Sequence, residues 1–156
     1  MLIKTFGSAV YGVDALTITI EVNISPGVRF FMVGLPDNAV KESHQRISAA
    51  LRNNGLKIPG KEITINMAPA DIKKEGSAYD LTIAIGILAA SNQIKEPEAV
   101  ERYVIMGELA LDGELRPIRG ALPIAIKAKK EGFSGIILPK KNANEAAVVE
   151  GLNVYG

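Results

Sequence analysis

The spacing of apolar and polar positions divides the 156-residue chain into a strand-rich opening and a longer succession of helices and strands. Leu2 to Tyr11, Leu16 to Ile24 and Val28 to Leu35 are rich in Val, Ile, Thr and Phe. The turn-forming stretches Gly12-Val-Asp and Ser25-Pro-Gly separate them, and together they predict an opening β-meander. Thr17 to Ile24 alternates cleanly, which predicts one buried and one solvated face. From Asp37 to Asn54 the period becomes helical, with Val40, Ile47, Ala50 and Leu51 on one side. Asp37 or Asn38 stands where an N-cap is needed, and Gly55 where a helix stops. Glu62 to Met67 reads as another strand. The polar loop Ala70 to Gly76 leads into an apolar helix from about Ala78 to Gln93. Its Leu81, Ile83, Ile85, Ile87 and Leu88 occupy more than one face, the mark of a central buried helix.

Tyr103 to Ala110 is expected to be a strand, and Asp112-Gly113 turns it back into Glu114-Leu-Arg-Pro. Leu122 to Glu131 forms an amphipathic helix closed by Gly132, followed by a short buried strand, Gly135 to Leu138. Asn142 to Glu150 is read as a last helix and Leu152 to Tyr155 as a final strand. This order predicts a single α+β domain, an α/β sandwich in which helices cover a mixed sheet. There is no internal repeat, low-complexity tract or linker. The chain stops just after the last strand, at Gly156, as at the entry to a further domain.

Composition narrows the chemistry. Lys plus Arg is 18 and Asp plus Glu is 17, so no whole-domain field draws the chain to nucleic acid. A local basic face from Lys41, Arg46, Arg52, Lys57, Lys73 and Lys74 stays open. With no Trp, four Phe and four Tyr, there is little aromatic surface to stack bases. The absence of cysteine excludes disulfides, thiolate metal sites and cysteine nucleophiles, and fits a reducing cytoplasm. The N-terminus lacks the apolar stretch of a secretory signal. The longest apolar run, Leu81 to Ala90, is about half the ~20 residues of a membrane span. One histidine, His44, cannot build a metal site alone and is expected on the solvated side of its helix.

Three positions tempt a functional reading. Gly55-Leu-Lys-Ile-Pro-Gly60-Lys61-Glu62 has the glycine and lysine spacing of a phosphate-binding loop. Glu62, however, stands where Ser or Thr would hold magnesium, and helix precedes strand rather than the reverse. It reads as a helix-to-strand connection. Ser77, before the buried helix, is a candidate nucleophile near helix amides, but the simpler role is as N-cap. Asp80, at the helix start, is favoured there by the helix dipole and is expected to be structural.

Three segments resemble the N-terminal domain of ComM/YifB-type, magnesium-chelatase-like AAA+ proteins. The first holds Gly34, Pro36, Asp37 and Glu42 within Val33-Gly-Leu-Pro-Asp-Asn-Ala-Val-Lys-Glu-Ser43. The second is Asn66-Met-Ala-Pro69-Ala-Asp71-Ile-Lys-Lys-Glu75-Gly76, with Asp80 after it in Tyr79-Asp-Leu81. The third carries Gly107, Glu108, Gly113, Arg116 and Pro117 within Gly107-Glu-Leu-Ala-Leu-Asp-Gly-Glu-Leu-Arg-Pro-Ile118. This last segment also looks like the protease domain of Lon and the Lon-like domain of RadA recombination proteins. The resemblance implies the Lon-protease-like fold, shared with a ribosomal small-subunit protein domain.

It also implies how the Lon chemistry is altered. Aligned through Gly76, the family's catalytic serine position falls on Ala78, with Ser77 one residue early. The catalytic lysine position falls at or near Leu122, and Lys127 lies too far down the helix. The resemblance therefore implies no catalytic residue in this domain; Ser77 would serve only in a residual Ser-based peptidase. It implies no metal or cofactor here, with ATP and Mg2+ belonging to an AAA+ module C-terminal to residue 156. No tetrapyrrole metalation is implied. The expected setting is cytoplasmic and bacterial, in a hexameric AAA+ ATPase that processes DNA during branch migration or uptake. The domain would serve oligomer assembly, partner docking or contact with single-stranded or branched DNA. Lys41, Arg46, Arg52, Lys73, Lys74 and Arg116 are the candidate DNA contacts.

Overall fold

A computed structural model describes residues 1–156 of the chain. Strand β1 (Leu2–Tyr11) and strand β2 (Asp14–Ser25) form a long antiparallel hairpin, closed by the Tyr11–Asp14 pair. The alternation read in β2 holds: Ile18, Ile20, Val22 and Ile24 are buried on one face. Strand β3 (Phe30–Val33) follows, then the short helix α1 (Asn38–Lys41), helix α2 (Ser43–Asn53) and strand β4 (Glu62–Ala68). The buried helix α3 (Asp80–Ala90) comes next, and a 3-10 turn leads to strand β5 (Tyr103–Ile105). The hairpin of β6 (Glu108–Leu109) and β7 (Leu115–Arg116) forms its own small sheet. Helix α4 (Ala121–Lys130), strand β8 (Gly135–Ile137), helix α5 (Ala143–Ala146) and strand β9 (Asn153–Tyr155) complete the chain.

The main sheet has seven strands in the order β3-β4-β2-β1-β5-β8-β9 and is mixed. β2 is antiparallel to β1 and β4, whereas β3–β4, β1–β5, β5–β8 and β8–β9 are parallel pairs. Helices lie on both faces. Ile3 and Thr5 of β1, with Ile20 and Val22 of β2, face α3. On the other face Phe6 packs edge-on against Phe133 just after α4, and Thr17 bonds Glu131. The α3 helix approaches so closely that a Cβ on Gly86 would lie 2.7 Å from Val22. A single core of 32 buried apolar residues runs through both layers. No helix is long and apolar enough to cross a membrane.

The expected opening meander does not form. β3 pairs with β4, and β4 lies between it and β2. β4 buries Ile63, Ile65 and Met67, which suits an interior position, whereas β3 is four residues of half-exposed strand. Pairing β3 parallel to β4 then requires a helical crossover, which α1 and α2 supply. The helix read from Asp37 to Asn54 breaks at Glu42. The strand expected from Tyr103 to Ala110 also breaks, because Met106 donates its N–H to Ile137 and Gly107 to Ala78. The last helix shortens to four residues.

At Gly34 the backbone has φ +101°, and a Cβ there would drive into the Met67 carbonyl. Gly34→Ala is therefore expected to lower stability by about 3 kcal/mol, read as the shift of a urea unfolding midpoint at unchanged slope.

Candidate functional site

Two loops meet across the C-terminal ends of β3 and β4, and their residues explain two of the three family-like segments. Pro36 bridges to Lys74, the Lys74 amide donates to Leu35, and the Asp37 amide donates to the Lys74 carbonyl at 2.9 Å. Asp37 caps α1 through Oδ1, accepting the Val40 amide at 2.8 Å, while its Oδ2 accepts the Gly76 amide at 3.1 Å. One carboxylate thus ends a helix and fixes the neighbouring loop. The Lys74 side chain is fully buried and donates to the carbonyls of Gly34, at 2.7 Å, and Pro69. Burial pushes its ammonium below the usual lysine range. Within the same segment the Ala68–Pro69 bond is cis. The outer residues Asp71 and Glu75 stay in solvent, as does Glu42 at the α1–α2 break.

The second anchor is an ion pair. Arg46 of α2 grips Asp80 with both arms, Nε to Oδ2 at 2.7 Å and a terminal nitrogen to Oδ1 at 2.9 Å. That same nitrogen also donates to the Ala39 carbonyl at 2.7 Å. Asp80 accepts the Leu109 amide at 3.0 Å as well, so it ties α2, α3 and β6 together. Desolvation pushes the Asp80 carboxyl above its usual range, opposed by Arg46 and by the Leu109 amide. The hydrogen bonds that it donates to Asp80 hold the Arg46 guanidinium above its own ordinary value. A buried carboxylate in this setting needs its partner, which fits the structural role expected for it.

These anchors shape a cleft of about 610 Å³. One wall is Ser8 to Tyr11 of β1, another is Glu75 to Tyr79, and Met106, Glu108 and Pro117 to Arg119 complete it. Ser77 does not cap α3. The helix begins three residues later, and the Ser77 hydroxyl donates to Glu108. The other Glu108 oxygen lies 3.7 Å from Arg116. Tyr79 is buried in the wall, and burial raises its phenol well above the ordinary range.

Ala78 also lines the cleft, but Leu122 sits in the first turn of α4 and Lys127 in its middle, neither of them cleft residues. The one cleft lysine is Lys73, paired with Glu75 at 3.8 Å on the rim. Ser77 thus has a carboxylate as hydrogen-bond partner and no amine. No three His, Asp or Glu groups come close enough to hold a metal ion.

Two candidate DNA contacts need correction. Lys74 is enclosed by the carbonyls it bonds, and Arg46 is committed to Asp80 and Ala39, so neither presents a free charge. Lys41, Arg52 and Lys73 remain exposed, and so does Arg116, at the edge of the cleft. His44 is not a freely solvated residue either. It stacks flat on Phe30, ring centres 3.9 Å apart, and burial lowers its pKa. In the third segment, Gly107 bonds Ala78 and Leu81, Gly113 turns the β6–β7 hairpin, and Pro117 lines the cleft. Sequence reasoning missed Tyr11 and Arg119 as cleft residues. It also missed Asn142, whose buried amide clasps both backbone groups of Ile118 at 2.9 and 2.8 Å.

Comparison with known proteins accords with this geometry. Residues 20–142 match the model of the family described as subunit ChlI of Mg-chelatase. The chain is 46% identical to competence protein ComM of Haemophilus influenzae over 96% of its own length and 29% of that protein. It is 47% identical to YifB of Escherichia coli over 92% of its length and 28% of that protein. The chain thus spans under a third of these relatives, matching their N-terminal region. Lon protease 2 of Bacillus subtilis is 31% identical over 65% of the chain and 18% of that protein, in keeping with a Lon-like fold.

Arg46→Ala leaves Asp80 buried without its cation and is expected to cost about 3 kcal/mol, with Arg46→Met/Asp80→Asn recovering part of the loss. Lys74→Met strands two carbonyls and should cost about 2 kcal/mol. Urea titration of each variant reads these losses. The histidine gives a pH signature. Its folded pKa lies below the unfolded 6.5, so between the two values the unfolded chain binds more protons, and stability falls as pH drops from 6.5 through that window. Stability measured from pH 7.5 to 5 should show this component in the parent chain and lack it in His44→Phe.

Proposed function

Because the chain belongs to the family of subunit ChlI of magnesium chelatase, we propose that it is a non-proteolytic Lon-like domain preceding an AAA+ module. In this reading the parent is a hexameric, ATP- and Mg2+-dependent motor of the cytoplasm that processes DNA. The domain itself assists assembly, partner docking and contact with single-stranded or branched DNA. The observation that carries the non-proteolytic part is the Ser77 hydroxyl, which donates to Glu108 rather than to an amine. A carboxylate held near an arginine is a poor base for a serine, and an unactivated hydroxyl is a weak nucleophile at neutral pH. The name of the Haemophilus relative, a competence protein, supports the DNA side of the proposal.

The cations left exposed for phosphate contact are Lys41, Arg52, Lys73 and Arg116, the last two in loose surface pairs with Glu75 and Glu108. Such contact in a chain of net charge +1 would be weak and salt-sensitive, and would gain from having several copies in one ring. Residual Ser-based peptidase activity is the alternative. It is tested by a fluorophosphonate probe: labelling of the parent chain that is lost in Ser77→Ala would revive it.

Fluorescence anisotropy with labelled single-stranded and forked DNA, titrated with salt, tests the DNA reading. Affinity should fall steadily with salt and drop on Arg52→Ala or Arg116→Ala, while the unfolding midpoint stays in place. Salt-independent binding, or none by the full-length hexamer, would remove DNA contact from this domain.

A further inference from the structure

We infer that the cleft beside β1 binds an extended polypeptide segment, which adds as a strand to the free edge of β1 and is held without being cleaved. This specifies the partner-docking part of the proposed function and rests on it. The inference starts from which way the main chain of β1 points. In an antiparallel pair, alternate residues turn their N–H and C=O groups toward the partner strand and away from it. The even residues of β1 face away from β2. The Lys4 amide donates to Glu101, Phe6 pairs with Val104 of β5, and the Ser8 amide points to the sulfur of Met106 at 3.3 Å. After Ile105 the chain leaves β1, because Met106 and Gly107 bond to Ile137 and Ala78 instead. Val10, next in the even series, is left with no neighbouring strand on that side. By the alternation of the β1–β2 register its amide and carbonyl point away from β2, and Val10 is a lining residue of the cleft.

An unpaired strand edge is ordinarily blunted by charge, proline or a covering loop. Here Ser8 to Tyr11 carries no charge and no proline, and it forms a wall of the 610 Å³ cleft. The remaining walls suit a strand rather than a small polar molecule. Val10, Ala78 and Ile118, each partly exposed in the lining, offer apolar surface for side chains that alternate along an extended segment. The charges specify the ligand further. Glu75 is paired with Lys73 and Glu108 with Arg116, which leaves Arg119 as a cleft cation with no ion-pair partner. The bound segment is therefore extended, aliphatic at alternate positions, and carries an acidic side chain opposite Arg119. Main-chain pairing supplies affinity, and the alternate side chains supply selectivity. With Ser77 given over to Glu108, the segment is docked and released intact.

The test uses the 156-residue chain and a fluorescein-labelled octapeptide of alternating leucine and threonine with one central aspartate. Two further peptides carry N-methyl groups, one on each alternate set of amides. Only the set facing β1 can pair with Val10, so one methylated peptide should bind about tenfold or more weakly, and the other should match the parent. Arg119→Glu should weaken the aspartate peptide and not its asparagine counterpart. Equal affinity for all three peptides, or no saturable anisotropy change up to about 1 mM, overturns the inference. Val10→Pro removes the amide on the side away from β2 and should abolish binding, and the methylated peptides decide the matter even if that variant unfolds. DNA anisotropy run on the same samples separates the outcomes. Peptide failure with intact DNA binding removes the cleft assignment alone, whereas loss of both removes the contact function of the whole domain.

Discussion

Asp80 enters α3 as a carboxylate almost wholly removed from water, and much of the architecture around the cleft follows from keeping that charge satisfied. Its two oxygens take both arms of Arg46 and the amide of Leu109. Those three contacts fix the angle between α2 and α3 and seat the β6–β7 hairpin against them. An isolated carboxylate at such a position would cost several kcal/mol or take up a proton. The pair is therefore less a source of stability than a constraint that few alternative packings can meet. Its geometry selects one arrangement of helices over the β3–β4 end of the sheet.

Lys74 applies the same logic to the loops. A buried ammonium without a carboxylate partner must find carbonyl oxygens, and it finds them on Gly34 and Pro69. Gly34 can present its carbonyl there because it takes a left-handed backbone that would be strained in other residues. Asp37 then closes the structure by serving α1 and the Gly76 amide together. Residues forty positions apart in the chain become one rigid unit, and that unit holds the Glu75–Tyr79 wall of the cleft.

The cleft inherits its form from a Lon-like fold but differs in chemistry. A serine nucleophile needs a general base beside it to take its proton. Here the Ser77 hydroxyl meets Glu108, and α4 brings no lysine into the cleft. The sheet also leaves the end of β1 without a neighbouring strand on the side away from β2, where β5 turns away.

The sequence alone determined those features that depend on local periodicity and on short-range turn chemistry. The long alternating β2, the apolar α3, the hairpin at Asp112-Gly113 and the order of the elements were all legible because each is dictated by neighbours a few residues away. The family-like segments contain Asp37, Lys74, Asp80 and Glu108. Their roles were decided only in three dimensions. Lys74 and Arg46 read as surface cations because a charge on a linear chain is solvated by default, and only the packed loops and the buried Asp80 reveal them as internal ties. The strand order also lay beyond the sequence: β3, apolar at all four positions, is left at the sheet edge, while the longer β4 lies between it and β2 and buries Ile63, Ile65 and Met67. Ser77 looked like a cap because helix starts are uncertain by a few residues; its pairing with Glu108, thirty-one residues on, depends on the α3–β6 contact. Pairings across long sequence distances are set by which packing satisfies every buried charge and amide at once, and no local pattern encodes that.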